Sequence, residues 1–275
     1  MRTSAPKAPD PFESMVVGAG LAAGAANVIM QLSHPGVGYG VVESRVDSGN
    51  LFRHPVKRTR TTITYLAVAT LGTDEEKAAY RREVNRQHAQ VRSTDESPVR
   101  YNAFDPQLQL WVAACLYKGF EDGFEALNGT IPDELRESAY AASEPLGTTL
   151  QVRPDMWPQT RAEFQQYWDA SIGEVSVDDT VREHLLAIAA LEFLPRVLSV
   201  PFGPLNRFVT TGFLPPQFRR QMHLRWTDHD QRRFDRLMSA IGVIAMRLPR
   251  PLRQFPYNLA IWDLRRRRKA GTALV

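Results

Sequence analysis

Apolar positions along this chain recur at helical rather than at strand spacing. After Asp105-Pro106, the residues Leu108, Trp111, Val112, Cys115, Leu116, Phe120 and Phe124 fall on one stripe, the three-and-four spacing of a helix that buries one face. The aspartate and proline supply an N-cap and a first helical residue, so this helix is predicted to run from there to about Leu127. Thr73-Asp74-Glu75-Glu76 reads as a capping box that opens a helix to about Arg92, and Thr180 with Glu183 as a second box opening a helix to Leu194. Helical patterns also cover 132–143, 161–172, 227–248 and 257–269. The run VKRTRTTITYLAVATLG (56–72) has a polar first turn and an apolar remainder, as a largely buried helix would, although its threonines weaken helix formation. The segment 14–33 shows no alternation and is expected to stop at His34-Pro35. The glycines and turn formers of 34–55 predict a loop, and the prolines between 195 and 216 predict short helices and loops. With no internal repeat and no low-complexity linker, the pattern predicts one all-α domain over 14–275 behind a flexible N-terminus at 1–13.

Composition narrows the class. A chain of 275 residues that is 43% hydrophobic can fill a sizeable core. Its 34 Lys+Arg against 30 Asp+Glu leave a net charge of only +4, and the local arginine clusters, including the run Arg265 to Arg268, read as solvated helix faces; no nucleic-acid partner is expected. The single Cys115 excludes an internal disulfide framework and covalent haem attachment through C-x-x-C-H. Met15 to Met30 is apolar but short for a membrane span, and no compact signal peptide precedes it, which predicts a soluble cytoplasmic protein without a transmembrane segment.

Gly18, Gly20 and Ala23 fit G-x-G-x-x-A, and Glu43 follows at about 20 residues, the distance at which an acidic side chain would hold a ribose hydroxyl of a dinucleotide. That fingerprint requires a preceding strand and further β-α-β units. Only Met15, Val16 and Val17 precede Gly18, and helix follows helix afterwards, so a flavin or NAD enzyme is a minor alternative. Small residues from 18 to 26 also suit close approach of a helix backbone to another helix or to a flat cofactor.

None of the six histidines forms H-E-x-x-H or another paired metal spacing. His88 continues the row Tyr80, Val84, His88 along its helix and is expected to point inward, where a ring nitrogen needs a partner: iron, or a hydrogen bond within the core. Arg58 and Thr62 are four apart and share a face extended by Tyr65; a buried arginine requires an anion, either a protein carboxylate or a ligand such as a haem propionate.

The stretch MQLSHPGVGYGVVESR, the R-x-x-x-T within RTRTT, then YLAVATLGTDEE, VNRQH, Tyr101, Asp105-Pro106 and Trp111-Val112 together resemble the catalytic domain shared by rubber oxygenases (latex-clearing proteins) and mpaB-like oxygenases. The resemblance covers about 15 to 250, with its specific motifs between 30 and 115. It implies an all-α fold around a non-covalent haem b, with His88 as the proximal iron ligand and Arg58 and Thr62 shaping the haem site. It further implies an oxygenase that uses O2 on a small apolar, unsaturated substrate, with oxidative cleavage of a C=C bond as the family's outcome. The family's proposed catalytic glutamate corresponds most nearly to Glu43, and His34 is a candidate distal group. Latex-clearing proteins carry a lysine just before the motif threonine, where this chain has Thr61. A haem-binding sensor or carrier without turnover is the alternative from another class; it would keep His88 and Arg58 without needing Glu43.

Overall fold

A computed structural model of the chain describes residues 11–275, apart from the side chain of Ser48. Among the described residues there is no strand, only an isolated antiparallel bridge between Arg92 and Asn102, and the fold is all-α. Short 3-10 helices at Pro11–Met15 and Gly18–Ala23 lead into α1 (Gly24–Leu32), α2 (Pro35–Val42), α3 (Pro55–Leu71), α4 (Asp74–His88) and α5 (Pro106–Asn128). There follow α6 (Asp133–Ala141), α7 (Pro145–Thr148), α8 (Arg161–Ile172), α9 (Asp179–Ala189) and α10 (Arg196–Phe213). The chain ends with α11 (Pro216–Gln221), α12 (Asp228–Arg247), α13 (Arg250–Arg253) and α14 (Tyr257–Lys269). Of the stretch expected to be flexible, residues 1–10 lie outside the described ones, whereas Phe12 is buried.

The central element is α5, capped by Asp105 as its sequence predicts and packed against α1, α7, α12 and the Gly18–Ala23 turn. One continuous apolar core runs from Phe12 to Leu274 around it. A buried carboxylate on α5, Glu121, ties in its neighbours by accepting from Lys118 (2.8 Å), Arg161 of α8 (3.1 Å) and Arg136 of α6 (3.4 Å). Burial alone would raise its pKa, but these cations hold it below the usual value, so it stays ionised.

Four elements depart from the sequence pattern, each for a local reason. The stretch after His34 is the helix α2 rather than a loop: His34 Nδ1 accepts from Gly36 N at 3.3 Å, Pro35 occupies the first turn, and the glycines are buried packing surfaces. A Cβ at Gly38 would stand 2.5 Å from the Leu32 carbonyl oxygen. Helix α4 ends at His88, short of Arg92, because the next backbone pairs with 101–103 through Ser93 N to Tyr101 O (2.9 Å) and Ala103 N to Val91 O (3.0 Å). Helix α9 is capped by Asp178, whose Oδ1 accepts from Val181 N at 2.9 Å, and not by Thr180. Helix α10 continues past Pro201 and Pro204. The carbonyls that lose a donor there belong to Val197 and Val200, which are 76% and 64% exposed, so water can replace the missing bonds.

The glycine fingerprint also resolves. Gly18 opens a 3-10 helix with no strand before it, and a Cβ at Gly18 would run into the Phe255 carbonyl, whereas one at Gly20 would meet nothing within 4 Å. These small residues admit neighbouring backbone, and the dinucleotide alternative lacks its β-α-β context. Gly18→Ala is therefore expected to destabilise the protein by about 1–3 kcal/mol, and Gly20→Ala to leave stability unchanged or raise it by up to about 1 kcal/mol, read from urea midpoints.

Candidate functional site

The site is built on the antiparallel pair α3 and α4, joined by a turn whose capping box is formed as predicted: Glu76 N to Thr73 Oγ1 at 3.3 Å and Thr73 N to Glu76 Oε2 at 2.9 Å. Tyr80 of α4 donates its hydroxyl to the Thr61 carbonyl of α3 at 2.8 Å, and its ring lies 6.4 Å from that of Tyr65. Tyr65 in turn donates to the Leu146 carbonyl, anchoring α3 to α7. These contacts fix where Arg58 and His88 can stand.

Arg58 lies near the start of α3 and donates from Nη1 to Thr62 Oγ1 at 3.3 Å, the contact that their four-residue spacing predicts. The hydroxyls of Thr61 and Thr62 both donate back to the Arg58 carbonyl, at 2.9 and 3.0 Å. Arg58 forms no ion pair among the described residues. Its side chain is accessible, yet desolvation by the surrounding protein lowers its pKa, the combination expected of a cation in the wall of a recess rather than on an open surface. A guanidinium stays protonated regardless, so this is a cation awaiting an anion.

His88 is the last residue of α4, half-buried, with its Nδ1 fully enclosed and without a hydrogen-bond partner. The ring meets Phe104 nearly edge-on at 6.5 Å. Burial, and secondarily the charge of Arg58, push its pKa down to about 4. Imidazole is therefore neutral at physiological pH, the form that ligates a metal. Asn85 Oδ1, one helical turn earlier, is likewise enclosed and unpartnered.

Glu43 follows α2 and lines a cavity of about 560 Å³ with Ser44, Arg45, Ala89, Val91 and Tyr101. Its Oε2 accepts from Ser97 Oγ at 2.7 Å and from the Tyr101 hydroxyl at 2.8 Å. Burial and then this bond raise the Tyr101 pKa. The structure thus joins Arg58 to Thr62 by a hydrogen bond and sets Arg58 near enough to His88 for its charge to act on the imidazole. Glu43 stands in an adjoining cavity whose wall begins one residue after His88. His34 caps α2 through Nδ1, its Nε2 lies 3.9 Å from Glu174 and its ring 6.3 Å from Trp111.

Sequence reasoning passed over Asn85, Ser97 and Phe104. Asn85 alone had a signal, its three-residue spacing before His88 on one helix face. No group of three or more His, Cys, Asp or Glu able to hold a metal ion occurs among the described residues. A single imidazole beside a recessed arginine suits an iron carried in a macrocycle with carboxylate arms.

Residues 15–243 match the family described as ER-bound oxygenase mpaB/B'/rubber oxygenase, catalytic domain. The chain belongs to this family. Arg58, Thr62, His88, Glu43 and His34 all lie within the part shared with the mpaB/rubber-oxygenase catalytic domain. Among its relatives are Rv2237 of Mycobacterium tuberculosis and Mb2261 of Mycobacterium bovis, both named as uncharacterized proteins; each is 52% identical over 251 residues, 91% of this chain and 98% of theirs. No solved structure matches the chain.

The lowered pKa of His88 has a measurable sign. The unfolded chain binds a proton at this residue below about pH 6.5, the folded chain only below about 4, so folding stability is complete above 6.5 and declines as pH falls between the two. In haem-free protein the loss at pH 4 is expected to be on the order of 3 kcal/mol at most, and His88→Leu should flatten that part of the stability-against-pH curve.

Proposed function

We propose that this protein is a haem b-dependent oxygenase that uses O2 on a small apolar, unsaturated substrate. The observation that carries the reading is the meeting of a neutral imidazole bearing an unpartnered enclosed nitrogen with a recessed arginine that has no anion. Haem would use both residues, its iron taking the ring nitrogen of His88 that is not enclosed, since Nδ1 is sealed by protein, and a propionate pairing with Arg58. The exposed apolar side chains Val41, Phe52, Val56 and Phe104 belong to the segments that carry the site, which favours an apolar ligand over a polar one.

When bound, haem supplies the redox-active iron at which dioxygen is used. His88 would hold that iron through its imidazole. Arg58 would orient the cofactor through its charge, and the Thr62 hydroxyl, itself anchored on the Arg58 carbonyl, would keep the guanidinium in place. Glu43 is the group to take a proton from substrate: Ser97 and Tyr101 occupy Oε2, leaving Oε1 without a partner among the described residues. Oxidative cleavage of a carbon–carbon double bond, each carbon taking one atom of O2, is the outcome this arrangement would serve. The same reading takes 14–275 as a single domain and places the protein in the cytoplasm.

The purified protein is expected to show a Soret band and, on reduction, b-type features that His88→Ala abolishes or alters at equal haem supply. Arg58→Ala should bind haem roughly 10- to 100-fold more weakly. Glu43→Gln should keep the spectrum and lose substrate-dependent oxygen uptake; uptake that survives it points to a carrier or sensor in which Glu43 takes no part in chemistry. A protein that takes up no haem on reconstitution overturns the proposal.

A further inference from the structure

Among the described residues sixteen large apolar side chains are exposed, and apart from Val41, Phe52, Val56 and Phe104 they lie between 197 and 262. On α10 they include Val197, Val200, Phe202 and Leu205, and at the end of α12 they are Val243, Ile244 and Leu248. The series continues through Leu252, Phe255 and Leu259 to Trp262, 59% exposed, on the side of α14 turned away from the residues it buries, Tyr257, Ala260, Ile261 and Leu264. These elements are neighbours: α10 and α12 pack on each other and on the Gly18–Ala23 turn, and the Phe255 backbone lies against Gly18 of that turn. Exposure of this kind, gathered on adjoining elements, marks a surface that is covered in use.

The charge identifies the cover. Residues 196–262 hold eleven arginines against three aspartates, and no acidic residue follows Asp235 in this stretch, while the whole chain carries only +4. Of these arginines only Arg250 forms an ion pair among the described residues, with Glu13. The C-terminal run differs: Arg265 pairs with Glu76, Arg268 with Glu75, and Arg266 and Arg267 with Asp263. Arg207 and Arg225, neither in an ion pair among the described residues, line a cleft of about 810 Å³ with Val200, Phe208 and Trp226 and with the acidic Glu192 and Asp230, so cations and apolar surface meet at its walls. A second copy of the chain docked face to face would set like charges against each other. No described helix is long and apolar enough to cross a membrane, and the face would therefore lie on a bilayer rather than span it.

We propose that the face formed by α10, the end of α12, α13 and α14 docks on an anionic lipid bilayer, its apolar side chains entering the interface while the unpaired arginines hold lipid phosphates. This surface is separate from the haem reading and stands without it.

The test is co-sedimentation of the full chain with vesicles of phosphatidylcholine alone and of phosphatidylcholine mixed with phosphatidylglycerol. Binding is expected to the mixed vesicles, falling with salt. Ile244→Glu with Leu252→Glu should weaken it at least roughly tenfold, as should Arg247→Glu with Arg253→Glu. Ile244, Arg247 and Leu252 are exposed and Arg253 half-buried, and unchanged thermal midpoints would exclude misfolding as the cause. No binding to mixed vesicles overturns the proposal, as does equal binding to both compositions. A concentration-dependent dimer that the Ile244→Glu, Leu252→Glu variant dissolves, without vesicle binding, also overturns it and makes the face a contact between copies.

Discussion

Close backbone approach around α5 is the constraint on which the rest of the molecule depends. Asn27 of α1 donates to the Cys115 carbonyl, and a Cβ at Gly119 would strike the same asparagine. A Cβ at Gly123 would lie 3.4 Å from the Gly20 carbonyl, and one at Gly242 of α12 would enter the Leu127 carbonyl. Side chains removed at these points let backbones pack at distances that ordinary residues forbid, and the large aromatics fill what lies between. Trp111 stacks on Trp168 at 5.4 Å, and Tyr117 meets Phe164 edge-on at 4.8 Å. The opening glycines belong to this scheme, which explains their likeness to a nucleotide loop without its function.

Against that rigid centre the α3–α4 pair carries groups that the fold alone does not satisfy. An enclosed polar atom without a partner costs about 1–3 kcal/mol. His88 Nδ1 and Asn85 Oδ1 both carry such a penalty, and Arg58 adds the desolvation of a cation with no counter-charge. Gln109, Thr149, Trp157 and Thr210 also hold enclosed polar atoms without partners, but the α3–α4 pair alone sets such atoms beside an uncompensated cation, whereas the buried carboxylates Glu76 and Glu121 are both paired.

Much of this was legible because it is local in sequence. The Thr73 capping box, the Asp105 cap, the limits of α8 and α14, and the Arg58–Thr62 contact all arise between residues at most a few positions apart. The misreadings came from residues whose meaning depends on what lies across from them. Glycines that read as a loop at 34–55 are the packed face of α2, and prolines that read as punctuation sit within α10, where the residues that lose a backbone donor are exposed. The bonds from Ser97 and Tyr101 to Glu43 span 54 and 58 residues, and no periodicity encodes them. The absence of an anion beside Arg58 is visible only once every neighbour is in place.

Glu76 serves two elements at once. Its carboxylate closes the cap at the start of α4 and also receives Arg265 of α14 at 2.7 Å, while α14 lies along α3. Helix α14 lies wholly beyond the span matched to the oxygenase family, which ends at residue 243, yet it braces both helices that present Arg58 and His88. Loosening this outer splint would therefore change how firmly the two residues are held while leaving every reacting group unaltered.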